Sequence, residues 1–421
     1  MNKQLTLKTI PYTLLAITVF SILPYPSLTN DLITTINITA AWWAILTIII
    51  FLFWSSAKVL SDKTDRVLLL TVQYYLLWNI FSITRGAFIA ENYWDWKGLI
   101  TNTMALLLPI VAYIACNATM IQAMFRFYIK YMLPLFIIFA FLIAKDAYGF
   151  YLAPISFLLL FLPALTLRWK LIILAIALLV IFADLGARSN VIKFGVPIIL
   201  IFMYYLRNLL STSLLEWVRK ILFLTPILLF CLAVTDTFNI YKMDDYIQKE
   251  AIEYKQNEFG ETIEDNLKAD TRSFLYIEVL ETAQKYNTWW IGRSPARGNE
   301  SFSFGSGDET GRGERLGNEV AILNIFTWTG IVGVLLYFMV FYRATYLAIN
   351  RSNNIFIKTL GLFIAFRWIY AWVEDINNFS LSYTFLWLMI GMCFSRSFRA
   401  MSNKEFENWV RGIFVKRLST K

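Results

Sequence analysis

The side chains that could do chemistry in this chain are arginines and carboxylates. The arginines are Arg85, Arg188, Arg272, Arg293, Arg297, Arg312, Arg315 and Arg367; the carboxylates are Glu319, Glu374 and Asp375. A guanidinium fork binds phosphate oxygens bidentately and keeps its charge under all conditions. Histidine is absent, so a general base has to come from the carboxylates. Cys116, Cys231 and Cys393 fall inside or at the edge of apolar runs, which leaves no metal-ligand set, no disulfide framework and no resident cofactor to expect. The stretch WWIGRSPARGNE (289–300) sharpens the question, because it sets two arginines in a Gly/Pro turn directly behind a tryptophan pair.

The elements that position these groups are membrane helices. With 58% hydrophobic and 16% charged residues, the chain departs from a soluble composition in both directions. Apolar segments recur near 8–23, 38–56, 67–83, 98–117, 127–144, 149–167, 170–184, 192–206, 220–235, 321–342, 355–373 and 380–395, each able to cover most of a hydrocarbon core. The expectation is an all-α polytopic membrane bundle of about twelve spans. The first apolar segment leads into PYPSLTN without a small-residue cleavage site, so it reads as an uncleaved helix.

Basic residues alternate loop by loop. Lys58/Lys63/Arg66, Arg126/Lys130, Arg168/Lys170, Arg207/Arg219/Lys220 and Arg343/Arg351/Lys358 share one side with the basic tail 396–421. The positive-inside rule makes that side, and both termini, cytoplasmic. The net charge of +9 is then the footprint of topology and needs no nucleic acid. The division expected is helices one to nine over 1–235, an extracytoplasmic loop over 236–320, helices ten to twelve over 321–395, and the tail. The tail's amphipathic stretch EFENWVRGIFVKRL either lies in the lipid interface or is solvated.

A loop as long as 236–320 is functional or disordered. Its first third, 241–270, reads as a solvated helix. A second, amphipathic helix follows over 271–288, capped by Asp270, with Phe274, Ile277 and Leu280 as the stripe laid against the membrane. Trp289 and Trp290 suit the headgroup level. The Gly-rich stretch 304–318 lacks a GK[ST] ending, which excludes a nucleotide-binding loop, and reads as a mobile linker. The eight arginines named above all fall on the outer side. Two readings stand for them: ion pairs, Arg188 with Asp184 and Arg367 with Glu374, or a phosphate-bearing ligand at headgroup depth. Their convergence on one side favours the ligand, and lipid pyrophosphates are the abundant candidates.

Three stretches resemble the O-antigen polymerase and O-antigen ligase superfamily of bacterial envelope proteins. ARSNVIKFGVPII (187–199) is similar to that family's Arg-Ser/Gly turn before an apolar helix. TRSFLYIEVLETAQKYNTWWIGRSPARG (271–298) is similar to its arginine–amphipathic helix–Gly segment, and GNEVAILNIFTWTGIVGVLLYF (317–338) to the segment leading into its next helix. The three stretches cover 63 of the 421 residues. Ligases of that superfamily carry a histidine just before the Asn; here Gly317 stands there, followed by Asn318 and Glu319, which favours polymerase.

The resemblance implies a metal-independent glycosyltransferase in the bacterial inner membrane. It would polymerise undecaprenyl-pyrophosphate-linked repeat units into O-antigen or exopolysaccharide, with membrane lipid and a chain-length regulator or other glycan-assembly proteins as partners. It implies Arg188, Arg272 and Arg293 on the pyrophosphate, assisted by Arg367 and Arg85. The base is then Glu319 or, after it, Glu374 or Asp375, with helix capping the other reading of Glu319. A ligase using a carboxylate base and a lipid-linked-oligosaccharide flippase are the alternatives. A secondary transporter is disfavoured, since no internal repeat is visible.

Overall fold

The computed structural model describes residues 3–26, 38–184, 187–235, 237–239, 241–242, 272–301 and 312–414, together with the backbone of 252–256 and 262–266. The long helices are α1 (Lys3–Ile22), α2 (Thr39–Leu60), α3 (Leu70–Ile89), α4 (Tyr93–Ile114), α5 (Ala118–Phe139), α6 (Leu167–Ala183), α7 (Arg188–Tyr205) and α8 (Thr212–Val234). They are followed by α9 (Ser273–Lys285), α10 (Ala321–Asn350), α11 (Ile355–Tyr370), α12 (Leu381–Phe394) and α13 (Asn403–Phe414). The protein is therefore mostly helical. Six of the described helices, α1, α2, α4, α5, α8 and α10, are long and apolar enough to cross a membrane.

The other apolar segments are shorter or more polar. α3 carries Gln73, Asn79 and Arg85, and α7 carries Arg188 and Lys193. The segment expected over 149–167 is broken into Tyr148–Tyr151, Ala153–Leu159 and a 3₁₀ turn at Leu162–Ala164. Pro154 and Pro163 each sit in the first turn of a piece, where a missing N–H costs nothing. At the centre stands α12, apolar on every side and buried over almost its whole length, as a helix without a polar face must be. It packs on the end of α4 and on α10, α11 and α1. Trp387 of α12 meets Tyr75 and Tyr337, which tie α3 and α10 to it.

Five expectations change. The stretch expected as a solvated helix over 241–270 contains an antiparallel hairpin, β1 (Ile252–Gln256) with β2 (Thr262–Asn266), registered Ile252↔Asn266 to Gln256↔Thr262. Ile252, Tyr254, Thr262 and Ile263 are residue types that suit strands better than helices. α9 begins three residues beyond Asp270, which lies outside the described residues, and Arg272 occupies its N-cap position without a side-chain cap bond. The face of α9 that is buried carries Leu275, Glu278, Val279, Thr282 and Ala283; Ile277 of the expected stripe is exposed. Part of the expected linker is structured as well: β4 (Glu314–Arg315) pairs with β3 (Asn299–Glu300), while 302–311 lies outside the described residues. The tail helix α13 lays Phe406, Val410 and Ile413 on the protein itself, held by Gln122 and Arg126 to the carbonyls of Trp409 and Gly412.

Candidate functional site

Helix ends build the site. The first N–H groups of α10 lack partners within their own helix, as do the last carbonyls of α11. The two ends meet: Ala321 N donates to Glu374 O (3.1 Å) and Ile322 N to Ala371 O (2.9 Å). Buried asparagines lock the junction. Asn324 takes the backbone N–H of Asn318 (2.6 Å) and donates to its carbonyl (2.8 Å) and to Asn377 Oδ1 (3.3 Å), while Asn377 donates to Ala321 O (3.3 Å). Glu319, Glu374 and Asp375 are thereby presented together at one end of the bundle.

Arg272 is brought to these carboxylates by the start of α9. Its Nη2 lies 3.2 Å from Glu374 Oε2 and 3.7 Å from Glu319 Oε2. Asp375 accepts from the backbone N–H of Asn377 and from the side chain of Asn378, both at 3.2 Å. Those bonds favour its charged form, but burial outweighs them and, with Glu374 adjacent, pushes its pKa up to about 7. Tyr25, past the end of α1, feels the same carboxylates: burial first, then Asp146, Asp375, Glu374 and Glu319, raise its hydroxyl to about 12.

Arg367 is 2% exposed, and among the described residues its guanidinium makes no hydrogen bond or ion pair; it lies 4.9 Å over the Tyr370 ring. The Tyr370 hydroxyl donates to Ser189 O (3.3 Å), which brings in the start of α7. There Lys193 is buried, 4.7 Å over the Phe150 ring and 3.4 Å from Ser189 Oγ. Arg188, at the first position of α7, is exposed and has no side-chain partner among the described residues. Neither ion pair suggested by helical spacing forms. Asp184 instead accepts from Ala187 N (3.2 Å), and Glu374 is taken by Arg272.

An apolar groove of about 490 Å³ abuts this cluster, walled by Tyr276, Trp289, Trp290, Phe326, Val334 and Trp372 among others. Tyr276 lies one helical turn beyond Arg272, and Trp372 two residues before Glu374. The hydroxyls of Tyr276 and Tyr241 both donate to Trp372 O.

Arg85 and Arg293 belong to a different place. The thirteen residues of α9 separate Arg272 from the WWIGRSPARGNE loop by about 20 Å at the usual helical rise. That loop mends a break in α10. Gly330 has φ +68°, and the bonds lost there are replaced by the loop: Arg293 N donates to Thr327 O (2.6 Å), and Ile331 N and Val332 N donate to the carbonyls of Trp289 and Trp290. Irregular backbone inside a bundle persists only where protein groups satisfy it in this way. Gly292, also at positive φ, lies so close that a Cβ would come within 2.6 Å of the Thr329 and Gly330 nitrogens.

Arg85 supports the loop by donating to Ile291 O (2.7 Å) and Gly292 O. Arg293 donates to Gly298 O (2.6 Å) and to Glu314 (3.0 Å), with its guanidinium 4.1 Å over the Tyr286 ring. The structure thus gathers Arg272, Arg367, Glu319, Glu374 and Asp375 at one end of α9, with Arg188 at the start of neighbouring α7, and places Arg85 and Arg293 at the other.

Sequence reasoning passed over Lys193, Tyr25, Asn324 and Asn377 as parts of the site. The signal available for Asn324 was a lone amide in the apolar run AILNIF. In a comparison with known proteins, no family model matches the chain and no curated protein matches it.

Proposed function

We propose that this protein polymerises undecaprenyl-pyrophosphate-linked oligosaccharide repeat units into surface polysaccharide at the outer face of a bacterial cytoplasmic membrane. On this reading it has about twelve spans and both termini in the cytoplasm, and it works beside a chain-length regulator or other glycan-assembly proteins. The observation that carries the proposal is the abutment of cations and carboxylates on an apolar groove, at one end of a bundle of membrane-length helices. That pairing suits a substrate that is oily at one end and anionic next to it.

The chemistry asked of the site is a displacement at the sugar carbon bonded to pyrophosphate. An acceptor hydroxyl attacks that carbon and its proton passes to a carboxylate. The carbon–oxygen bond to pyrophosphate breaks, and the electron pair leaves with undecaprenyl pyrophosphate. Arg367 and Lys193, two buried cations without a carboxylate within ion-pair range among the described residues, are suited to the developing charge, with Arg272 beside them and exposed Arg188 at the rim. Preorganised charge of this kind is usually the largest catalytic contribution.

Asp375 is the best-suited base. A general base works best with a pKa near the working pH and contributes about 10²–10⁴-fold, and Asp375 sits at about 7. Glu319 and Glu374 are instead engaged by the Arg272 guanidinium, at 3.7 and 3.2 Å.

Deletion of the gene followed by electrophoresis of surface glycan tests the reading. A polymerase leaves lipid capped with a single repeat, and complementation by Asp375→Asn should restore less than one part in about a hundred of the polymer. Full-length polymer stranded on the carrier lipid would instead identify a ligase.

A further inference from the structure

At the far end of α9 the WWIGRSPARGNE loop, the end of α3 and β4 enclose a basin of about 650 Å³. Four guanidinium groups line it: Arg85, Arg293, Arg297 and Arg312. Among the described residues, Glu91, Asp95 and Glu314 stand within ion-pair range of them, and Glu300, bonded to the Tyr286 hydroxyl, acts on Arg293.

The four arginines are not equivalent. Arg85 and Arg293 donate to loop carbonyls, and Arg312 meets Glu91 at 2.5 Å and Asp95 at 3.1 Å. Arg297 is different: its contacts, 3.8 Å to Glu91 and 3.9 Å to Glu314, are both beyond hydrogen-bond reach, and its guanidinium makes no hydrogen bond among the described residues. Its side chain is nonetheless 16% exposed, held in the wall by its surroundings. A fork with unspent donors, flanked by fixed cations and facing an open basin, is built to take an oxyanion.

We infer that this basin is a second pyrophosphate site, with Arg297 as its principal ligand, and that it holds the lipid-linked acceptor while the Arg367–Asp375 cluster holds the donor. The identity of the acceptor rests on the polymerisation reading; the binding of pyrophosphate does not. The spacing is what this division requires. The attacking hydroxyl must reach Asp375, whereas the acceptor's own pyrophosphate lies an oligosaccharide's length behind it, and the two sites stand about 20 Å apart along α9. Ile89 and Ile291 give the basin an apolar wall on which the first part of a lipid chain can rest.

The test is calorimetric titration of the purified full-length protein in lipid nanodiscs with farnesyl pyrophosphate, and separately with inorganic pyrophosphate. The parent protein should bind two farnesyl pyrophosphates. Arg297→Gln should bind one, the lost site weakening by about tenfold to a hundredfold, as expected for a charge-assisted bidentate contact. Asn287→Asp is the second variant. It removes no guanidinium, adds a carboxylate to the basin wall, and suits the positive φ of 51° at that residue, so it should weaken the same site.

A single site in the parent, or two undiminished sites in both variants, would overturn the inference. Inorganic pyrophosphate binding the basin as tightly as the farnesyl form would overturn its assignment to a lipid. Failure of the polymerisation reading looks different: two pyrophosphates still bind, and glycan is never lengthened.

Discussion

The two ends of α9 use arginine for opposite purposes. Near Arg272 the charged groups come from segments far apart in the chain, residues 193, 272, 319, 367, 374 and 375, and helix-end backbone with an asparagine network holds them in place. At the far end, Arg85 and Arg293 are spent on carbonyl oxygens of the loop that fills the break in α10. The first arrangement leaves buried cations with unspent donors; the second, Arg297 apart, consumes its donors to keep non-helical backbone inside a bundle. An arginine is therefore not evidence of ligand binding until its hydrogen bonds are accounted for. Arg297 and Arg367 pass that test, and Arg293 does not.

The largest expected effect is at the break itself. Gly292→Ala adds a Cβ into the Thr329–Gly330 backbone at a position of positive φ. Left-handed strain and overlap together cost about 2–5 kcal/mol. The variant should yield no monodisperse protein on size-exclusion chromatography; a normal elution profile would show that loop and kink are not a single unit.

A smaller loss separates the structural arginines from the binding ones. Arg85→Met leaves loop carbonyls without their donor, a penalty of about 1–3 kcal/mol, and should lower the melting temperature clearly. Arg297→Gln should leave it within error, because the Arg297 guanidinium makes no hydrogen bond among the described residues. Equal melting temperatures for the two would erase the distinction between architecture and binding.

A further effect is the pH dependence contributed by Asp375. Its pKa is raised from an ordinary 3.8 to about 7, so its contribution to stability is complete below about pH 4 and is lost as the pH rises through 7. Asp375→Asn should match the parent in thermal melts at pH 4 and exceed it at pH 8. A variant less stable than the parent at pH 8 would show that the ionised carboxylate is the favoured form, and would remove the argument for Asp375 as base.

Much of this architecture is legible in the sequence because hydropathy is local. The apolar segments found by composition reappear as helices or broken helices, and 271–288 contains a helix. The facing of α9 was not legible, since Leu275, Val279 and Ala283 offer a second stripe and only packing on α10 and β3 decides between the two. Nor was the break at Gly330, because TWTGIVG reads as continuous helix and the loop that replaces its hydrogen bonds comes from about forty residues earlier in the chain. The pairing of Arg272 with Glu374 spans 102 positions and leaves no periodic trace. Residue type pointed to phosphate chemistry; only tertiary contact separates Arg367 and Lys193, with charge to spare, from Arg85 and Arg293.

The reaction proposed is glycan transfer between lipid-linked chains at the Arg367–Asp375 cluster. It is tested most directly by reconstituting the purified protein in liposomes with lipid-linked oligosaccharide extracted from cells deleted for its gene. The expected result is products lengthened by whole repeats, one undecaprenyl pyrophosphate released per added repeat, and no products with Asp375→Asn. Substrate that stays at a single repeat in the presence of folded parent protein would contradict it.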